Sequence, residues 1–233
     1  MPDELVNSPA VSSELPPEGH LGMSSGGDEG RRWPWEPPLP PQRRGRERRA
    51  DIICAASCLI DMHGPRSEQV TVRAIADAAH ISTASIYHYF LDVEDVVAAV
   101  ATAYMDGLLA ATGNVKVADH ATYDAFQLRL VEVFREYFAA RPGLRELWFQ
   151  RRGSDTVARI HDTYREVVSG QLRAAAGRYV DDPGDVLNYC MVIEMSRALW
   201  ELAFRLDPAG QPDVVQEIHA NASAFLLRRV FER

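Results

Sequence analysis

The sequence predicts an all-α protein in which a small three-helix unit precedes a larger six-helix unit. Apolar residues recur at helical spacing from Gly45 to the C-terminus, and no segment alternates apolar and polar residues over the length of a strand. Clusters rich in Gly, Pro and Asp interrupt the pattern and mark helix ends. The spacing predicts nine helices, at about residues 46–63, 72–79, 82–90, 92–112, 119–140, 142–150, 154–178, 184–206 and 212–231.

Local signals support the helix starts in the first part of the chain. Thr71 and Ser82 are good N-caps for two short helices, because a hydroxyl oxygen accepts from the free N–H groups of a first turn. Asp92, with a second aspartate three residues later, forms a carboxylate variant of the capping box. Ile86 and Phe90 lie four residues apart and so share the buried side of the third helix.

The N-terminal segment differs in composition from the rest. Residues 1–42 contain nine of the 14 prolines and many Gly, Ser and Glu residues, so they offer no apolar core to offset the entropy of ordering. We expect a disordered tail there. Residues 31–49 hold seven arginines against two acidic residues, although the whole chain has a formal net charge of −8. A basic arm therefore leads an acidic protein.

Composition also limits the function classes. The longest uncharged apolar run, residues 96–105, is too short to cross a bilayer, and the first thirty residues lack the basic charge of a secretory signal. Three cysteines form no disulfide framework, so we expect a cytoplasmic protein without membrane contact. Cys54 and Cys58 lack the further ligands of a metal site, and no nucleophile or phosphate-loop motif occurs. The sequence predicts no metal, no cofactor and no enzymatic activity.

The two short helices are separated by a tight turn, which is the spacing of a helix-turn-helix. The surrounding residues meet several fixed spacings together over roughly fifty positions. The residues that carry this pattern are Ile52, Ile53, Ala55, Ala56, Gly64, Thr71, Val72, Ile75, Ala76, Ala79, His80, Ile81, Ser82, Ile86, Tyr87, His88, Tyr89, Phe90 and Glu94. This string resembles the signature of the TetR family of dimeric transcriptional regulators.

The resemblance implies a DNA-reading surface on the second and third helices. A recognition helix buries one face and presents short or planar polar groups to base edges on the other. The Ala84 methyl with Thr83 is suited to a thymine methyl, and Arg73 is suited to a guanine or a nearby phosphate. The expected DNA-binding residues are Arg46, Arg49, Thr71, Arg73, Ser82, Thr83, Ala84, Ser85, Tyr87, His88 and Tyr89.

Two positions depart from the family pattern. His80 occupies the turn where the family usually has Gly, so the turn must accept a residue with a Cβ. Val93 stands where the family often has Lys before Glu94, which removes a phosphate contact. We therefore expect the arginine-rich residues 43–49 to supply more of the affinity, through phosphates or the minor groove.

In the TetR family, the helices that follow the three-helix DNA-binding unit enclose an effector and form the dimer interface. The resemblance implies the same arrangement here. Aromatic and Met side chains at helical spacing are the candidate effector-binding residues, although such stripes are more often plain core: Met105, Phe126, Trp148, Phe149, Tyr164, Met191 and Met195. Apolar stripes on the last two helices predict the dimer interface: Leu199, Leu202, Val215, Ile218, Ala222, Phe225 and Leu226.

These expectations give three regions: a tail (1–42), a helix-turn-helix DNA-binding domain (43–91) and an effector-binding and dimerisation domain (92–233). The expected function is a homodimeric repressor that a small apolar or amphipathic effector releases from a palindromic operator on double-stranded DNA. The alternative is a helical dimer that serves as a protein-interaction or ligand-sequestering module without specific DNA binding. His80, Val93 and the acidic balance motivate that alternative.

Overall fold

The computed structural model describes residues 42–149 and 155–232, so nearly all of the predicted tail lies outside the described residues. Within these ranges the protein is all-α, without a strand, as predicted. Nine α-helices follow one another: α1 (Arg43–His63), α2 (Val72–Ala78), α3 (Thr83–Tyr87), α4 (Val93–Gly113), α5 (Tyr123–Ala139), α6 (Pro142–Phe149), α7 (Asp155–Ala176), α8 (Val186–Leu206) and α9 (Pro212–Leu226).

Side-chain caps begin several of these helices where the sequence predicts them. Thr71 Oγ1 accepts the Ala74 N–H at 3.1 Å at the start of α2. Ser82 caps α3 and Asp92 caps α4 in the same way, each bonding the N–H three residues later. Such a bond satisfies one of the free donors of a first turn and stabilises the helix by about 1 kcal/mol.

Four helix ends differ by three residues or more from the sequence-based boundaries. Helix α1 begins at Arg43, and α3 ends at Tyr87, because the N–H groups of the next residues turn back to Ile86 O. Helix α5 begins only at Tyr123, after a 3-10 turn at Val117–Asp119. Helix α9 ends at Leu226 and is followed by a π-helical turn.

One apolar core runs from the three N-terminal helices into the bundle behind them. Ile52 of α1, Ile75 of α2 and Ile86 of α3 are fully buried in this core. The same core continues into α4, α6, α7 and α8. A second cluster lies at the far ends of α5, α7, α8 and α9. The small unit therefore packs directly on the larger one.

Helix α4 is the central helix of this arrangement. By length and composition it is the one helix in the described ranges that is apolar enough to cross a membrane. Ten of its 21 residues are buried, and it packs against α1, α5 and α7. Its apolar character therefore serves the protein core.

Candidate functional site

The polar side of α3 faces solvent, as a recognition helix requires. Ile86 and Phe90 are buried in the core, and α3 packs against α2. Thr83, Ala84 and His88 are exposed, and 58% of Tyr87 is accessible. These side chains form one free surface on a short, capped helix.

Two predicted members of this surface are less exposed. Ser85 is half-buried, and its hydroxyl lies 2.9 Å from that of Ser82, within the cap of α3. Tyr89 is half-buried against the core and meets the His88 ring edge-on, with 5.1 Å between ring centroids. Ser85 and Tyr89 therefore help to hold α3 in place.

The turn between α2 and α3 accepts its histidine in a left-handed conformation. His80 has φ 53°, the only positive φ of a non-glycine residue in the described ranges. The Ile81 N–H donates to Ala76 O at 3.0 Å and closes the turn. Histidine tolerates this conformation better than bulky or β-branched residues do. The departure from glycine therefore leaves a closed helix-turn-helix.

The basic arm begins as part of α1. Arg43 bonds Glu47 at 2.7 Å on the exposed helix surface, and Arg46 is exposed. Arg49 is half-buried, with its guanidinium 5.2 Å from the centroid of the Phe90 ring. Because Phe90 directly follows the recognition surface, Arg49 joins α1 to the end of that surface. Arg73 of α2 is exposed on the same unit.

A cavity of about 850 Å³ lies inside the six-helix unit. Its walls come from the end of α4 and from α5, α6, α7, α8 and α9, and they are largely apolar. Three of the predicted effector-binding residues line it: Phe126, Trp148 and Tyr164.

The other four predicted effector-binding residues do not line this cavity. Met105 and Phe149 are buried in the core, where Phe149 packs against Phe138 and Phe204. Met191 and Met195 lie on the outer side of α8 and are exposed. The stripe pattern is wrong for these four because it gives the spacing of a helix face without saying whether that face meets a cavity, a packed core or solvent.

Several cavity residues are polar and were not predicted, notably Gln127, His161 and Arg197. Gln127 stands on the inner stripe of α5 between apolar positions, four residues after Tyr123 and three before Leu130. A polar residue inside an apolar stripe is the one sequence signal that marks this wall.

His161 packs on the aromatic wall, with its ring centroid 4.7 Å from that of Trp148. Burial lowers the pKa of His161, nearby Asp162 opposes this shift and the charge of Arg197 adds to it, so that the pKa is about 4. The imidazole is therefore neutral at physiological pH.

This burial predicts an acid-dependent loss of stability. Because the folded pKa lies below the unfolded value of about 6.5, protons bind the unfolded chain preferentially as the pH falls from about 6.5 to about 4. The destabilisation should reach roughly 2–3 kcal/mol near pH 4 and vanish above about pH 7. Urea unfolding at about pH 7 and about pH 4 measures the free energy of unfolding. Between these pH values His161→Gln should lose less stability than the unchanged protein. His88→Gln, at an exposed histidine, is the control and should lose as much stability as the unchanged protein. An equal loss of stability in both variants and the unchanged protein would place the His161 ring in solvent.

Helix α6 connects the cavity to α1. Trp148, near the end of α6, lines the cavity. At its start, the Gly143 N–H donates to Asp61 Oδ1 of α1 at 2.8 Å. Burial raises the pKa of Asp61, against the opposing effects of this N–H and of nearby Arg141 and Arg145. One eight-residue helix therefore touches both the cavity and the N-terminal unit.

The predicted dimer residues divide into two groups. Ile218, Ala222, Phe225 and Leu226 are buried within the chain, and all but Phe225 line the cavity. The prediction that these four form the dimer interface does not fit, because α9 directs this apolar stripe toward α5 and the cavity. Leu199, Leu202 and Val215 are half-buried.

Leu202 belongs to an apolar stripe on α8 whose other members are exposed. The stripe spans the helix at spacings of three and four residues, so its members share one face. Leu187 and Leu206, at opposite ends, are each 61% accessible. The stripe comprises Leu187, Met191, Met195, Ala198, Leu202 and Leu206.

A serine, a histidine and an aspartate meet between α5 and α9. Ser223 Oγ donates to Asp124 Oδ1 at 2.5 Å, and His219 Nε2 lies 3.2 Å from that oxygen and 3.3 Å from Ser223 Oγ. A hydrolytic relay needs one ring nitrogen for the acid and the other for the hydroxyl. Here one nitrogen faces both partners, so the contacts fasten α9 to α5.

Comparison with known proteins agrees with this geometry. Residues 52–100 match the family of bacterial regulatory proteins described as the tetR family. These residues contain α2 and α3, the end of the basic helix α1 and the start of α4. A search of curated proteins found no match.

Solved structures of regulators share the fold. A TetR-family transcriptional regulator from Streptomyces coelicolor has a TM-score of 0.60 at 20% identity, covering 78% of this chain and 99% of its own. The fatty acid degradation regulator FadR from Bacillus halodurans gives 0.58 at 20% identity, covering 77% and 94%. The regulator FadR from Bacillus subtilis, solved in complex with stearoyl-CoA, gives 0.55 at 18% identity, covering 76% and 97%. Since the matched residues are the helix-turn-helix and its neighbours, residues 52–100 form a DNA-binding unit of the tetR family, and the chain carries it on the fold of TetR-family transcriptional regulators.

Proposed function

We propose that the protein is a cytoplasmic homodimeric repressor, which a small apolar or amphipathic effector releases from a palindromic operator. We assign residues 43–91 to DNA binding and residues 92–233 to effector binding and dimerisation. The observation that carries this proposal is the cavity of about 850 Å³, which α6 links to α1 of the DNA-binding unit. Its volume lies within the range of about 300–1,000 Å³ that is usual for small-molecule sites.

DNA recognition is assigned to the exposed face of α3 and to α2. Thr83 and Ala84 stand at the start of α3, where they meet base edges, and His88 lies beyond its end. Tyr87 is placed to contact a phosphate. Thr71 caps α2 close to Arg73, so a phosphate there meets both a helix start and a guanidinium. The remaining assigned contacts are Ser82, Ser85, Tyr89, Arg46 and Arg49.

Substitution of the exposed residues should separate DNA binding from folding. Arg73→Ala and Tyr87→Ala should each cost about 1–3 kcal/mol of DNA affinity, roughly 5- to 150-fold, because each removes a contact made only with DNA. Fluorescence anisotropy with DNA from upstream of the protein's own coding region measures this loss. Thermal unfolding should not change, because both side chains are exposed.

Arg228→Ala is the matched control, since Arg228 is an exposed arginine at the far end of the chain. It should leave DNA affinity unchanged. Equal loss of affinity and thermal stability in Arg73→Ala or Tyr87→Ala would make these residues structural. Absence of a specific complex at low salt would instead favour the protein-interaction or ligand-sequestering module.

An effector acts by favouring a state that does not fit DNA. Occupation of the cavity presses on Trp148, and α6 transmits a displacement to α1 through the Gly143–Asp61 bond. An effector releases DNA only as far as it binds the released state more tightly, typically by about 1–3 kcal/mol. The stearoyl-CoA complex of the Bacillus subtilis regulator is an example of an apolar chain bound by a protein of this fold.

We assign the dimer interface to the exposed stripe of α8, residues 187–206, with the outer side of α9 beside it. An exposed apolar face of this length is typical of a helix that packs on a partner. Two helix-turn-helix units related by a two-fold axis then read the two halves of a palindrome.

A further inference from the structure

The cavity is mainly apolar, and two separate groups stand out among its polar side chains. Tyr123 and Gln127 lie on α5, four residues apart and therefore on one face of that helix. His161 and Arg165 of α7 and Arg197 of α8 form the second group. Each group includes a buried polar atom without a hydrogen-bond partner.

The α5 group lacks a donor. Tyr123 and Gln127 are each only 6% exposed, and both line the cavity. Among the residues that the structure describes, the Tyr123 hydroxyl and Gln127 Oε1 have no hydrogen-bond partner. Buried polar groups are normally hydrogen-bonded, because a buried group without a partner keeps the full cost of losing water. A carboxamide oxygen can only accept, so the missing partner of Gln127 is an O–H or N–H group.

The α7–α8 group contains an arginine, Arg197, whose ion pair is long. Arg165 takes both nearby acids, bonding Glu194 Oε1 at 2.9 Å and Asp162 Oδ1 at 3.0 Å. Arg197 contacts Glu194 Oε2 at 3.8 Å, and within residues 42–149 and 155–232 its buried Nε has no hydrogen-bond partner.

The charge of Arg197 influences a neighbouring residue of the cavity wall, His161. The positive charge contributes to the lowered pKa of His161, which lines the same space. An anion close to Arg197 Nε supplies the missing hydrogen-bond acceptor and a shorter ion pair than the 3.8 Å contact with Glu194.

From these two groups we propose that the effector is an amphipathic organic anion whose apolar part carries a hydroxyl or amide N–H. The anionic end binds Arg197, and the donor binds Gln127 with the Tyr123 hydroxyl beside it. The apolar part lies along the aromatic wall of Phe126, Trp148 and Trp200. This inference rests on the proposed effector function of the cavity and specifies its ligand class.

Three probes that share one alkyl chain test it: ω-hydroxydodecanoate, dodecanoate and dodecanol, with a chain-length series from octanoate to hexadecanoate. Isothermal titration calorimetry on the full chain measures the affinities. At the alkyl chain length that binds best, the ω-hydroxy acid should have the highest affinity. Dodecanoate should bind at least about fivefold more weakly and dodecanol about tenfold more weakly, since each lacks one of the two polar contacts.

Two variants separate the contacts. Arg197→Met should reduce dodecanoate affinity about tenfold and leave dodecanol affinity unchanged, whereas Arg178→Met, at an exposed arginine on the same cavity, should change neither. Gln127→Leu should abolish the advantage of the ω-hydroxy acid over dodecanoate. Without ligand, Gln127→Leu should also raise the unfolding temperature, because it removes a buried acceptor that has no partner.

The outcomes distinguish this inference from the proposed function. Equal affinities for all three probes, or an Arg197→Met variant that keeps its preference for the acid, overturn the inference and leave an apolar effector site. Failure of every probe at every length to bind, or to weaken DNA binding, overturns the effector function itself. Unchanged or lower stability of ligand-free Gln127→Leu contradicts the unpartnered state of Gln127.

Discussion

Gly143→Ala should destabilise the protein and weaken its DNA binding, because no space exists for a side chain between α1 and α6. A Cβ at Gly143 would lie 2.5 Å from Ile60 Cγ2 and 2.9 Å from the Ile60 backbone carbon. The backbone of α1 cannot move away without disturbing the packing of the DNA-binding unit. Overpacking of this kind costs about 1–3 kcal/mol, more than alanine gains over glycine in helix propensity, which is at most about 1 kcal/mol.

Urea unfolding measures the first effect as a lower midpoint at an unchanged slope. DNA titration of the folded Gly143→Ala variant measures the weakened DNA binding. The effector should also lower the DNA affinity of this variant by a smaller factor than it lowers the DNA affinity of the unchanged protein. The matched control is Gly170→Ala in α7, where an added Cβ meets nothing within 4 Å. That control should gain roughly 0.5–1 kcal/mol from helix propensity. If both variants gain stability, the close approach of α6 to α1 is not maintained in solution.

Met195→Glu should convert the protein to a monomer and remove specific binding to a palindromic site. Met195 lies in the middle of the exposed α8 stripe and is 47% accessible in the single chain. A carboxylate buried there in both protomers has no partner, and an uncompensated buried charge costs about 3–5 kcal/mol. Loss of the second helix-turn-helix should lower operator affinity at least about a hundredfold, since one unit makes few base contacts.

Analytical ultracentrifugation and an operator titration check these two results. Leu128→Glu is the control, because Leu128 is an apolar residue of similar exposure, 43%, on α5. It should remain a dimer and bind DNA normally. A Met195→Glu protein that stays dimeric would exclude the α8 stripe as the interface, whereas loss of the dimer in both variants would indicate a general effect of added negative charge.

The helices could be predicted from the sequence because their signals are local. Thr71, Ser82 and Asp92 cap the helices they precede, since each bonds an N–H only three residues later. The exposure of Thr83 and His88 could also be predicted, because Ile86 and Phe90 mark the buried side of this helix and Thr83 and His88 lie off that side. The end of α3 was placed too late, because the aromatic residues after Tyr87 continue the apolar spacing beyond the point where the helix turns.

The larger unit could be predicted only in part. Helices α8 and α9 carry more than one apolar face, and periodicity does not say which face meets a partner chain. The inner stripe of α9 was assigned to the dimer, whereas Ile218 and Leu226 line the cavity. Met191 and Met195 were assigned to the cavity, whereas they lie on the outer stripe of α8. The sequence does not separate an inner stripe from an outer one, because long-range packing decides which stripe turns inward.

By itself, the amino-acid sequence determined the all-α class, the helix-turn-helix and its solvent-facing side, because each depends on residues within one or two helical turns of one another. Tertiary structure alone decided which residues enclose the cavity and that Asp61 meets Gly143, 82 residues away. It also decided that Gln127 Oε1 and Arg197 Nε have no hydrogen-bond partner in the part of the chain that the structure describes. Those contacts join helices that are distant in sequence, and the packing of the whole core sets which side chains meet.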